Sequence, residues 1–292
     1  MAKKINLSQF KSQMRQEINK ANQAISKYNR DANNYNREVK QAINKYNQAV
    51  RQHNAKVIQN RSKIQSELRR LNSSSKLKIT ATYSASVIAM NASYGIVSQN
   101  YDYLNDPTPF QEYIYSEIEQ ENANSLETAN VISDETQPSV STYSLQDTNI
   151  FYHLSNMSKD LDNRWKGALF SLNPANPDAA RHFCTSAREI FTEIFESKAK
   201  DSDVFAILPN CEKTDRGNAS RRAKIRYFLH KKGFYDDNAE DFIENDMQNI
   251  LELFHLLSTG THGEAGKYSF EKLATIKKRV ENGLIFLCNI AA

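Results

Sequence analysis

The sequence predicts a mainly α-helical protein in which a long N-terminal coiled-coil helix precedes a C-terminal helical bundle. Three observations predict it. Leu7 to Leu71 contains neither Gly nor Pro, so nothing in it breaks a helix. Eight Gly and six Pro in 292 residues are too few for a sandwich or barrel with many turns. In the second half, apolar residues recur at steps of three and four over three separate stretches.

Within the first stretch, Ile18–Asn29 (INKANQAISKYN) returns as Ile43–Asn54 (INKYNQAVRQHN), an offset of 25 residues. That offset holds two heptads and one eleven-residue step, the spacing of a weakly supercoiled rod. Phe10, Met14, Ile18, Ala21, Ile25 and Tyr28 form the start of its seam, and Tyr28, Tyr35, Tyr46 and His53 mark one stripe. At about 1.5 Å per residue the rod is roughly 100 Å long. Its many Asn and Gln residues make it a poor core for a self-sufficient dimer, so packing against something else is expected.

Asn72–Ser75 ends the rod. From Leu77 to Val87 apolar and polar residues alternate, the period of short strands within 77–100, while the Ala-rich continuation also suits a helix. Asp106-Pro-Thr-Pro109 is a stop signal, and Phe110 to about Val131 reads as an acidic helix. Ser133–Asp147, rich in Ser, Thr, Gln and Asp, reads as a linker. The expected organisation is therefore a basic coiled coil over 1–76, an acidic, partly helical connecting segment over 77–132, a linker over 133–150 and a helical domain over 151–292. In that domain a helix carries Ala180, Phe183, Ala187, Ile190 and Ile194. Asp236–Ser258 supplies another, and a third runs from Phe270 through Leu287. The Trp165 segment and Arg221–Lys232 complete a bundle.

The formal charge of +4 conceals a partition. Residues 1–78 hold 18 Lys and Arg against 4 Asp and Glu; residues 79–150 hold no Lys or Arg and 10 acids; residues 151–292 hold 20 of each. A positive rod attracts nucleic acid or an acidic partner. Cys184, Cys211 and Cys288 share no metal-ligand spacing, no signal peptide leads the chain, and the Ala85–Val97 run is too short to span a bilayer. These features predict a cytoplasmic protein with no membrane association.

Two clusters suit chemistry. Arg181 and Arg188, seven apart, lie near one helix face, and Arg221 and Arg222 open a helix, where adjacent cations oppose the dipole and hint at a compensating anion. In Thr259–Lys267, three of the eight glycines crowd around His262, with Glu264 beside it. His262 suits general acid–base work, Arg188, Arg221 and Arg222 suit phosphate, and Arg181 and Glu264 suit supporting roles. Asp236, Asp237, Glu240, Asp241 and Glu244 read as a solvated helix start. No phosphate loop, paired zinc ligands or nucleophile elbow appears, so neither metal nor cofactor is expected.

Trp165-Lys-Gly-Ala, Asn176-Pro-Asp-Ala-Ala-Arg-His182, Ser186-Ala-Arg-Glu189, Arg221-Arg222 and Thr259-Gly-Thr-His-Gly263 resemble the predicted pPIWI-associating nuclease family. The resemblance implies a bacterial antiviral-defence protein with nuclease activity on RNA or DNA. The Arg/His pattern is also similar to HEPN-type ribonucleases, which use an Arg and a His separated by four to six residues. Here Arg226 and His230 leave three between them and Arg222 and His230 leave seven, so only the general logic carries over. The leading expectation is a nuclease or nuclease-like effector whose coiled coil serves assembly or sensing, through a partner protein or as a homo-oligomer. The rival is a non-catalytic adaptor or nucleic-acid-binding subunit of a larger defence complex.

Overall fold

A computed structural model describes residues 7–73, 81–102, 106–133, 145, 148–172, 176, 178–259 and 269–292. Among the described residues the fold is ten α-helices, in line with the predicted class. The chain divides into two compact units, Met1–Ile58 and Gln59–Ala292.

The first unit consists of helix α1, Leu7–Ser73, up to Ile58. Its apolar residues face solvent: Phe10, Met14, Ile18, Ile25, Tyr28, Tyr35, Val39, Ile43 and Tyr46 are all exposed. The Lys20–Glu17 ion pair on its surface is itself largely solvated and adds little.

The second unit begins with the last turns of α1. Asn60 and Ile64 are buried there. Arg61 Nε donates to Glu119 Oε1 at 2.9 Å, Lys63 Nζ to Glu127 Oε2 at 2.6 Å, and Asn130 Nδ2 to Glu67 Oε2 at 2.6 Å. These acceptors and donors lie on α3, Pro109–Ser133. α3 opens with a reciprocal cap in which Gln111 N donates to Thr108 Oγ1 and Thr108 N to Gln111 Oε1.

Residues 81–102 are helical, α2 (Ala81–Asp102), where alternation suggested strands; residues 77–80 lie outside the described residues. The buried positions Tyr83, Val87, Met90 and Val97 step by four, three and seven, a helical stripe. Packing against α9, Asp237–Thr259, overrides the strand preference of Thr82, Tyr83 and Val87. Together α2 and α3 pack on α9 and α10, Phe270–Ala291, so the acidic stretch is part of the core itself.

The expected linker lies mostly outside the described residues, but its end is anchored. Thr148 Oγ1 donates to Glu281 Oε1 at 2.5 Å, Asn149 N donates to the same oxygen at 2.9 Å, and Trp165 Nε1 donates to Thr148 Oγ1 at 3.0 Å. Short α4, Phe151–Met157, leads into α5, Lys159–Ser171, where Ser158 Oγ accepts from Asp160 N. α5 pairs with α6, Ala179–Lys198, through Trp165 and Phe183, whose rings meet edge-on at 5.6 Å. Then α7, Asp201–Ile207, and α8, Arg221–Lys231, follow; Phe195 stacks on Phe228 at 5.9 Å. The expected helices at 178–194, 221–232, 236–258 and 270–287 all form.

One feature of this core is ionic. Arg279 of α10 has no solvent exposure; Nη1 donates to Glu121 Oε2 at 2.5 Å, and Nη2 donates to Asp246 and, at 3.3 Å, to Asn249 Oδ1. One guanidinium thus ties α3, α9 and α10 together. Burial pushes Glu121 up to about 8, and it raises Asp246 as well, both against the pull of Arg279. Among the described residues no helix is long and apolar enough to cross a membrane.

Candidate functional site

The sequence-predicted arginines fall in two settings. Arg181 and Arg188 stand on α6 with exposed side chains. Arg181 reaches Asp178 only at 3.8 Å, and His182 Nε2 lies 3.6 Å from the same carboxylate. The neighbouring acid Glu189 is taken by Arg164 at 2.9 Å. Among the described residues no carboxylate lies within ion-pairing distance of Arg188, so its guanidinium is available to a ligand.

Arg221 and Arg222 are differently placed. Ser220 caps α8, its hydroxyl accepting from Ala223 N at 3.1 Å, and this fixes the first turn. From there Arg221 Nε and Nη2 grip Glu244 at 3.0 and 2.6 Å, and Nη2 also reaches Gln248 Oε1 at 3.0 Å. Arg222 Nη2 pairs with Asp241. Further along, Lys224 Nζ contacts Glu196 at 2.8 Å and Asp201 at 3.4 Å. The anion that adjacent cations at a helix start call for is therefore supplied by α9. The acidic turn of α9 is only in part a solvated start: Asp237 stays in solvent, whereas Glu240 is buried and Glu244 part-buried.

Sequence reasoning passed over the centre of this ladder. Arg226 Nε donates to Glu240 Oε2 at 2.7 Å, and His230 Nε2 lies 3.8 Å from Glu240 Oε1. The other face of the His230 ring is close to Tyr235, centroids 4.5 Å apart. Burial raises the Glu240 carboxyl above its usual range, and the bond from Arg226 opposes that rise. A buried carboxylate thus bonds an arginine through one oxygen and leaves the other near a partly exposed histidine one helical turn along, beyond hydrogen-bond distance of it. The four-residue spacing of Arg226 and His230 was the available signal; Glu240 itself had none, because an acid in the first turn of a helix usually faces water.

His262 and Glu264 lie outside the described residues, in the stretch between α9 and α10. The structure thus brings Arg221 and Arg222 together on α8 and Arg181 and Arg188 on α6. Among the described residues no group of three or more His, Cys, Asp and Glu is arranged to hold a metal ion.

Residues 154–287 match the family model of the predicted pPIWI-associating nucleases, which bears out the resemblance read from the sequence. The matched span includes every arginine and histidine described in this subsection. No curated protein and no solved structure matches the chain.

Proposed function

From a chain whose residues 154–287 carry the pattern of a predicted nuclease family, we propose a nuclease-like effector of a bacterial antiviral-defence system. It cleaves a phosphodiester of RNA or DNA by Arg/His chemistry. The observation that carries this reading is the exposed, acid-free guanidinium of Arg188 within the matched span. Among the described residues no acid pairs with it, and it shares its helix with the exposed Arg181, so this face can take an external anion.

In this mechanism Arg188, with Arg181 beside it, holds a phosphate. His262 takes the proton of the attacking hydroxyl or water and returns a proton to the leaving oxygen, while Glu264 orients it. Arg221 and Arg222 stabilise the charge that develops on the phosphoryl oxygens once the incoming phosphate competes with Glu244 and Asp241 for them. His230, near Glu240, is a second candidate acid–base group in the same span.

The test is cleavage of end-labelled single-stranded RNA, single-stranded DNA and duplex DNA by the full chain. His262→Ala is expected to lower the rate about 10²- to 10⁴-fold, the usual worth of a positioned acid–base group. Arg188→Ala is expected to raise KM with a smaller effect on kcat, since it removes binding common to ground and transition states. His262→Ala and His230→Ala variants that both cut at the parental rate would overturn the reading. Salt-sensitive binding without products from any of the three substrates would favour a non-catalytic subunit instead.

A further inference from the structure

We propose that the exposed seam of the first unit is covered by a second copy of this chain, running parallel and in register as a two-stranded coiled coil. The seam has a definite register, and from Met14 to Tyr46 the Asn and Gln residues that argued against a dimer core all fall outside it. From Met14 its positions step through Ile18, Ala21, Ile25, Tyr28, Ala32, Tyr35, Val39, Ala42 and Tyr46, alternating four and three. In heptad terms the a positions are Ile18, Ile25, Ala32, Val39 and Tyr46, and the d positions are Met14, Ala21, Tyr28, Tyr35 and Ala42. Ile18 and Ile25 are each more than half exposed, which a lone helix in water does not sustain.

The helix also lacks the intrinsic propensity to stand alone. Residues 7–58 contain nine Asn, a poor helix former. Helices of that kind draw their stability from packing an apolar face. Further along α1, the last turns show such packing: Asn60, Ile64 and Glu67, at steps of four and three, are buried. The N-terminal seam follows the same period and has no such cover within its own unit.

The flanking residues choose the occupant. The g positions Glu17, Asp31 and Glu38 precede a positions, and the e positions Asn22, Asn29 and Asn36 follow d positions. In a parallel pair each g residue faces the e residue five further along the partner, so Glu17 meets Asn22 and Asp31 meets Asn36. In those two pairs a carboxylate faces an amide donor, Glu38 meets Ile43, and no like charges are opposed from Met14 to Tyr46. The antiparallel register that sets Ile25 beside Tyr35 would put Glu17 against Lys45 but oppose Asp31 to its own copy, an opposition the parallel pair avoids. The cations Lys20, Lys27, Arg30, Arg37 and Lys40 fall at b, c and f, away from the partner, while Arg15 at e would meet Phe10 and Lys45 at g would meet Val50, so no cation opposes another across the seam from Met14 to Tyr46. Ile18, Ile25 and Val39 are the β-branched a residues that two-stranded coils use, here with Met, Ala and Tyr at d in place of Leu.

The full chain should therefore sediment at twice its 33.4 kDa mass. In a Cys211→Ser background, which removes the one cysteine that is not buried, Ile25→Cys should cross-link to itself under mild oxidation, while Arg30→Cys at an outer position should not. Replacing Ile18, Ile25 and Val39 together by Gln keeps the charge and should weaken association at least about 100-fold. Unchanged Trp165 emission would show that the second unit stays folded. A monomer or trimer, self-cross-linking at residue 30 as efficient as at residue 25, or cross-linking of Ile25→Cys only when Tyr35→Cys is also present, would overturn the proposal.

Discussion

Replacing Arg279 by Met removes the single cation of the buried ionic core and leaves two carboxylates facing each other. Arg279 donates to Glu121, Asp246 and Asn249, and all four side chains are buried. Removing one partner of a buried ion pair costs about 3–5 kcal/mol, because the remaining charge loses its compensation. Here Glu121 softens the loss, since burial already pushes it up to about 8 and it takes a proton readily, whereas Asp246 must be neutralised or left charged. We therefore expect a loss of about 3–5 kcal/mol, and at about 2–4 °C per kcal/mol a melting temperature lower by roughly 10 °C. The assay is thermal unfolding of the full chain followed by the emission of its one tryptophan, the buried Trp165. Adding Glu121→Leu and Asp246→Leu to Arg279→Met should recover most of the loss, as apolar replacement of a whole buried ionic group often does. An Arg279→Met protein melting within about 2 °C of the parent would refute the account of the core.

The same cluster sets a pH dependence. Glu121 ordinarily titrates near 4.5 and in the folded chain at about 8, so between those values the folded state holds a proton that the unfolded state has released. Its contribution is complete below about 4.5 and is lost as pH rises toward 8; Glu121→Gln should flatten the fall in urea midpoint between pH 5 and pH 8. Gly283→Ala would drive a methyl group into Ile250 Cδ1 and to 3.3 Å from Arg279 Nη1. Overpacking costs about 1–3 kcal/mol, and Ala over Gly in a helix returns about 1 kcal/mol. A net loss of up to about 2 kcal/mol is therefore expected in the same thermal assay, and a melt above the parent's would contradict the tight packing of α9 on α10. Burial pushes the Cys288 thiol up to about 12 and that of Cys184 higher still, while Cys211 is partly exposed. One thiol should react quickly with a disulfide reagent at pH 8 and two only after denaturation; three fast thiols would contradict the packing of α6 and α10.

Most helices were legible because their apolar periods were long and their ends were marked. Phe183, Ala187, Ile190 and Ile194 line the buried face of α6, and the reciprocal Thr108–Gln111 cap opens α3 right after the stop signal. The stretch after Lys76 was misleading because Thr, Tyr and Val carry strand preference, and only the contact with α9 makes 81–102 helical. The need for an anion near Arg221 and Arg222 was legible from the helix dipole, but its source was not. Glu244 and Asp241 lie 23 and 19 residues from the arginines they hold, in a stretch where acids are common for other reasons. Arg279 gave no sign at all. It follows Lys277 and Lys278, so it reads as a surface cation, and its burial depends on Glu121 and Asp246 arriving from two other helices.

The final turns of α1 bear on how this molecule is divided. Ile64 sits in the same apolar core as Trp165 and Phe254, and Glu119, Glu127 and Asn130 are satisfied by Arg61, Lys63 and Glu67. A fragment cut where the long helix ends would bare an oily notch and strand two glutamates. The natural place for the knife is upstream, near Gln59, and a protein trimmed there keeps its own roof.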